Sequence, residues 1–266
     1  TGSVQIEAQG ATGDIHLSTI DAGTGNVALL ADNDILDNTG AETANVTAAS
    51  VLLVADADSQ TAGTGGIIGG APGTSTGVNA QAVDLNVTTV AASSDEGIYL
   101  REVSAGTTIT VDTVTVTVDR ADFDSGVTTL ATETLEDLTT TTDGPIKLVA
   151  EGGTITINGG TDTTGVSANG TGDVLLEARG ATSDVVVHAD VQSGSGNVTI
   201  DASNDVDLNA DISTTTGDVY VLAGNATTDG TADDGVNMED VNASISTTTG
   251  SVQIEAQGAT GDIHLS

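Results

Sequence analysis

The sequence has no cysteine and no tryptophan, and it is poor in aromatic rings, basic side chains, proline and long apolar runs. Without cysteine, no disulfide can staple the fold and no thiolate can hold zinc or carry redox chemistry. The aromatics are Phe123, Tyr99 and Tyr220, 1% of 266 residues. A globular domain of this length ordinarily fills a thick core with rings. Here the interior must be built from Val, Ile, Leu and Ala, which suits a thin core of many equivalent layers. The basic residues are Arg101, Arg120, Lys147 and Arg179, against 39 acidic ones, for a net charge of −35. Such a field repels nucleic acid and anionic membrane faces, so neither is an expected partner. It attracts cations and costs stability through self-repulsion, so salt and divalent ions are expected to help hold the fold. No run approaches the ~18 apolar residues of a spanning helix, and no membrane insertion is expected.

Glycine is plentiful, at 34 residues, while proline occurs only at Pro72 and Pro145. Disordered low-complexity chains carry more proline and fewer β-branched residues. The abundant Thr and Val favour strands, so the composition predicts many short strands joined by tight turns.

Repetition organises the chain. Residues 1–18, TGSVQIEAQGATGDIHLS, recur without change at 249–266, a spacing of 248 residues. The chain is expected to be an excerpt from a tandem array: solenoid coils over 1–118, an excursion over 119–143, coils again over 144–248, and the start of the next unit at 249–266. A shorter pattern, Gly-x-(Val/Ile)-x-(Leu/Ile/Val)-x-Ala, starts at Gly2, Gly25, Gly144, Gly172, Gly196, Gly217 and Gly250. Spacings between adjacent copies include 23, 24, 21 and 33 residues. Alternation places Val174, Leu176 and Ala178 on one side of a strand and Leu175, Glu177 and Arg179 on the other. A second short strand follows, as in Asp184-VVVHADV or Asp205-VDLNADI, then a Gly/Ser/Thr corner such as Ser193-GSG or Thr214-TTG. Two or three short strands in ~21–24 residues make one coil of a β-helix, whose apolar row is buried only by the coils above and below. The predicted fold is all-β, a right-handed parallel β-helix with one or two loop excursions. At about 22 residues per coil the 248-residue unit would hold about 11 coils and run roughly 50 Å. The segment 119–143, with the only Phe and a Thr run, breaks the pattern and is read as folding back on the solenoid; Ala71 to Gly77 is read as a second protruding loop.

Runs such as Gly196-NVTIDASNDVDLNADISTTTG, Gly63-TGGIIGG and Val83-DLNVTTVAASSDEGIYLRE resemble the coils of filamentous-haemagglutinin-like adhesins and related giant bacterial surface proteins. The resemblance covers most of the chain outside 119–143. It implies a parallel β-helix, an extracellular or cell-surface location, and a role in attachment or as a structural filament.

Acid clusters are the candidate chemistry: Asp32, Asp34 and Asp37; Asp56 and Asp58; Asp122 and Asp124; Asp205 and Asp207. Carboxylates two apart on one strand face can share a Ca²⁺ ion with a loop carbonyl, though no cofactor is required and solvated acidic surface competes with this reading. The Ca²⁺-binding nonapeptide and the EF-hand loop are absent. His16, His188 and His264 are lone strand histidines and read as structural or surface residues. Arg101 and Arg120 read as ion-pair partners of Glu102, Asp119 and Asp122. The functional expectation is a non-enzymatic, acidic repeat unit of a secreted fibre or adhesin stalk, stacking end to end with its own copies. The alternative is a surface module that binds a glycan or another partner through the 119–143 loop. A β-helix polysaccharide lyase is the remote third reading, since fold alone does not imply activity.

Overall fold

The computed structural model describes residues 2–39, 42–56, 65–70, 81–224, 235–238, 240–257 and 261–265. Among these residues every regular element is a β-strand, and no helix is long and apolar enough to cross a membrane. Most strands pair in parallel, and not with their neighbours in the chain. Val4–Ala8, Ile15–Leu17 and Ile20–Asp21 form one layer and pair respectively with Asn26–Ala31, Ile35–Asp37 and Val46–Thr47 of the next. The same three-strand layer recurs as Ile146–Ala150, Ile155–Ile157 and Thr164–Ala168, then as Val174–Ala178, Val185–Val187 and Asp190–Ser193, and so to the C-terminus. The strands assemble into two large parallel sheets of fifteen and twelve strands.

The side-chain columns show why these residues form these strands. Val174, Leu176 and Ala178 point inward, each at most 1% exposed, and stack on Ile146, Leu148 and Ala150 below and Val198, Ile200 and Ala202 above. The second strand contributes Ile155, Val185 and Val206, and the third Leu138, Val166 and Val191. Each layer thus presents a few aliphatic side chains, at roughly 1.5–3 kcal/mol per buried Val, Leu or Ile, and no layer buries them alone.

Layer lengths vary more than the expected 21–24 residues. Val4, Val27 and Val51 stack at steps of 23 and 24, and Val174, Val198 and Val219 at 24 and 21. The step from Val51 to Val90 is 39 residues, from Ile98 to Ile146 it is 48, and from Val219 to Val252 it is 33. The 48-residue step contains an antiparallel excursion; the other two contain segments outside the described residues. Nine strands therefore stack along the main path of the twelve-stranded sheet, eight of them within residues 1–248, fewer than the 11 coils expected for that unit.

A rearranged layer lies in the middle. Thr89–Ser94 and Gly97–Glu102 are two six-residue strands facing each other. Thr89–Ser94 extends the long N-terminal row. On its other edge Thr89 and Val90 pair with Thr110 and Val111, while Ala92, Ser93 and Ser94 pair with Leu138, Thr139 and Thr140. One long strand is thus followed by two short ones. The reverse happens opposite, where Gly97–Glu102 takes two short strands below and the single long strand Ile146–Ala150 above.

Two antiparallel pairs leave this layer: Val114–Val116 with Glu133–Leu135, and Asp119–Ala121 with Val127–Thr129. The base of this hairpin lies over the outer face of the long N-terminal row, where Val114 and Val116 bury Ala28, Leu52 and Ala91 in a second small core. Leu138–Thr140, within the segment expected to leave the stack, is a strand of the parallel row. Ala71 to Gly77 lies outside the described residues.

The corner before each long strand explains the recurring glycine. A Cβ on Gly172 would lie 2.2 Å from the carbonyl oxygen of Gly144, and one on Gly196 would lie 2.3 Å from that of Gly172. A hydroxyl three residues earlier completes the corner. Ser193 Oγ accepts from the Gly196 N–H at 2.9 Å and donates to the Gly172 carbonyl of the layer below at 2.7 Å. Thr214 and Thr247 repeat this with Gly217 and Gly250.

Candidate metal centre and the acidic columns

Most carboxylates at the corners accept backbone N–H groups of the next layer. Asp173 Oδ1 accepts from Asn197 N at 2.7 Å, Asn197 Oδ1 from Asp218 N at 2.9 Å, and Asp218 Oδ1 from Ser251 N at 2.7 Å. Asp190 and Asp211 form a second such column, reaching Asp211 N and Ser244 N. Strand starts leave donors that ladder pairing does not reach, and a carboxylate, which only accepts, fits that need.

Of the sequence-predicted acids, Asp34 and Asp205 fall into this scheme and the others are engaged differently. Asp32 accepts from Gly10 N, and Asp34 from Ile67 N at 2.9 Å. Burial raises the Asp34 pKa, partly offset by that N–H. Asp37 accepts from Thr39 N at 2.9 Å and Asn45 Nδ2 at 2.8 Å. Asp205 accepts from Gly235 N at 2.8 Å and Asp207 from Asn237 Nδ2 at 3.3 Å. Asp122 pairs with Arg120 at 3.1 Å, and Asp124 closes the hairpin tip through Gly126 N at 3.0 Å. Asp56 sits in the left-handed region at φ 66°. Asp58 lies outside the described residues.

The carboxylates that come together are others. Glu136, Asp137 and Asp162 each place one oxygen within 4.8 Å of the other two. Glu136 follows the returning hairpin strand, Asp137 turns the chain into Leu138–Thr140 at φ 67°, and Asp162 lies in the turn one layer on. Thr161 holds Glu136 through its N–H at 2.8 Å and its hydroxyl, which together keep the Glu136 pKa low. Asp162 accepts from Thr164 N at 2.7 Å. Asp137 is 6% exposed, and its Oδ1 is buried without a hydrogen-bond partner. Burial, then the charges of Asp162, Glu136 and Asp112, push its carboxyl up to about 7. Asp137 and Asp162 are 25 residues apart whereas the stacked pair Leu138 and Val166 is 28 apart, so coil spacing in the sequence does not join them.

A second buried charge cluster surrounds Arg101. Its guanidinium meets Asp84 side by side, Nε to Oδ1 at 2.9 Å and Nη2 to Oδ2 at 3.0 Å, and also contacts Glu42. Glu151, 3.8 Å from Arg101, is 2.9 Å from Arg179. Asp84 is the partner, and Glu102 is not, because adjacent strand residues point to opposite faces and Arg101 is in register with Asp84. Arg120 pairs with Asp122, whereas Asp119 accepts from Thr129. Glu102 points inward, fully buried; Ser104 N reaches Oε1 at 2.8 Å, and Oε2 has no partner. Burial raises its pKa. A carboxyl whose folded pKa is raised loses stability as pH climbs from its unfolded value through its folded one. Glu102→Gln is therefore expected to raise the unfolding free energy from urea titration at pH 8 by roughly 1–3 kcal/mol, and to leave it nearly unchanged at pH 4. An equal shift at both pH values would show that the charge is not the cause.

No protein-family model, no curated protein and no solved structure matches the chain.

Proposed function

We propose that the chain is a right-handed parallel β-helix serving as a non-catalytic repeat unit of an acidic extracellular or cell-surface fibre or adhesin stalk. The right hand follows from the strong preference of parallel crossovers. The observation that carries the reading is the behaviour of the two identical ends. Val4–Ala8 stacks under Val27, Leu29 and Ala31, while its copy Val252–Ala256 stacks on Val219, Val221 and Ala223. The same five-residue strand, Val4–Ala8 and Val252–Ala256, thus fits beneath the first layers and above the last, so a single copy set between them continues the core across the unit boundary. Side chains left open at the ends, Ile6 at 36% and Leu265 at 55% exposure, are those a following or preceding unit would cover.

The two copies lie in different sheets, Val4–Ala8 in the fifteen-stranded and Val252–Ala256 in the twelve-stranded one. Each unit therefore exchanges its two faces through the Thr89–Glu102 layer, and successive hairpins leave the rod on opposite sides. The test is a chain of residues 1–248 followed by 1–266, studied by small-angle scattering and negative-stain microscopy. The expected result is one rigid rod, longer by eight layers, about 38 Å, with hairpins on alternate sides. Two hinged bodies, or a length that does not scale, would overturn the reading.

A second role, attachment to a glycan or protein through the hairpin, is favoured by Phe123, the sole Phe, which stands fully exposed near the tip with Val127 at 69% exposure. Phe123→Ser is expected to abolish surface attachment while leaving rod formation intact; attachment that survives would place the binding elsewhere.

A further inference from the structure

We propose that Glu136, Asp137 and Asp162 bind one Ca²⁺ ion that ties the base of the hairpin to the next layer. Two oxygens bound at about 2.4 Å to the same ion lie no more than about 4.8 Å apart, the limit these three carboxylates meet. Acidic clusters are common on this protein, and proximity alone would carry nothing. The second observation is Asp137 itself, 6% exposed, with Oδ1 buried and unpartnered. A buried carboxylate oxygen is ordinarily paired, and leaving one unmade costs about as much as a strong hydrogen bond contributes. The charges acting on Asp137 are those of Asp162, Glu136 and Asp112, all negative. Arg101, Arg120 and Arg179 are engaged with Asp84, Asp122 and Glu177. A cation is what this arrangement lacks.

The donor set selects the class of ion. Oxygen donors without nitrogen or sulfur suit hard cations. Mg²⁺ demands near-ideal octahedral geometry and keeps most of its water, whereas Ca²⁺ accepts irregular sets of six to eight oxygens. Glu136 is fixed by Thr161 and Asp162 by Thr164, so two of the three donors are already oriented; a carboxylate has lone pairs enough for both an N–H and an ion. The ion would join the returning hairpin strand to the turn one layer on, holding the hairpin against the N-terminal face. This assignment stands on local geometry and not on the fibre reading.

The test is calorimetric titration of EDTA-dialysed protein with CaCl₂ in 0.15 M KCl at pH 7.5, where diffuse counter-ion uptake is screened. The expected result is one saturable site, weakened at least tenfold in Asp137→Asn and in Asp162→Asn and unchanged in Asp124→Asn, which removes the same charge at the hairpin tip. Circular dichroism checks each fold. Should Asp137→Asn fail to fold, exposed Asp162 decides. Unaltered binding in Asp162→Asn, the absence of a saturable site, or displacement of Ca²⁺ by tenfold Mg²⁺ would each overturn the assignment.

Discussion

Replacing Gly217 with alanine is expected to lower the unfolding free energy by roughly 2–4 kcal/mol, while the same change at Gly2 is expected to have no measurable effect. A Cβ on Gly217 would lie 1.9 Å from the Gly196 carbonyl oxygen, far inside the ~3.5 Å at which non-bonded atoms rest. Backbone does not yield as a side chain does, so the layers must part at that corner. The Gly217 N–H to Thr214 Oγ1 and Thr214 Oγ1 to Gly196 carbonyl hydrogen bonds then weaken together. Gly2 has nothing within 4 Å because no layer lies beneath it, although its repeat copy Gly250 would place a Cβ 1.9 Å from the Gly217 oxygen. Urea unfolding of the two variants measures the difference. In the tandem chain proposed above, alanine at the junction glycine should become as costly as at Gly217; equal costs for Gly2 and Gly217 in the single chain would refute the close-contact account.

Arg101→Leu is the second large effect. It leaves the Asp84 carboxylate, with a side chain 3% exposed, without its cation, and breaking a buried pair this way costs about 3–5 kcal/mol. The thermal midpoint should fall by about 10 °C at pH 7.5. In the parent chain burial pushes the Asp84 carboxyl up to about 6 despite the guanidinium beside it. The folded state then keeps its proton at pH values where the unfolded chain, at about 3.9, has lost it. Stability from this group is fully present below about pH 4 and is lost as pH rises to about 6, a change of roughly 3 kcal/mol. Buried Glu102 and half-buried Asp34 act in the same direction, and half-buried Glu136 and Glu255, whose pKa values are lowered, act against it. Without the guanidinium nothing opposes burial, so the variant gains more on acidification and its gap from the parent should narrow between pH 7.5 and pH 4.5. A gap that widens would remove Asp84 as the cause.

The inward columns were open to reading because a strand alternates with period two and a layered core repeats. Val174, Leu176 and Ala178 announce their face by alternation, and the spacings 23, 24 and 21 between Gly motifs are steps between stacked strands. Runs such as VALLA at 27–31 and SVLLVA at 50–55 are apolar on both parities, which signals a strand covered on both faces. What covers the outer face, the hairpin through Val114 and Val116, is not written in those runs. The acids carried a weaker signal. Asp37, Asp124 and Asp205 sit in obvious clusters, yet each is engaged with a backbone or amide N–H.

The sequence by itself determined the all-β parallel architecture, the inward residues, the Gly/Ser/Thr composition of the corners and the 248-residue repeat, because these follow from composition, local alternation and identity. Tertiary structure alone decided which charges meet. Arg101 finds Asp84 and not Glu102, and Asp137 finds Asp162, because contact between layers depends on strand register and on the unequal lengths of the segments between layers, and neither is encoded at the residues that finally touch.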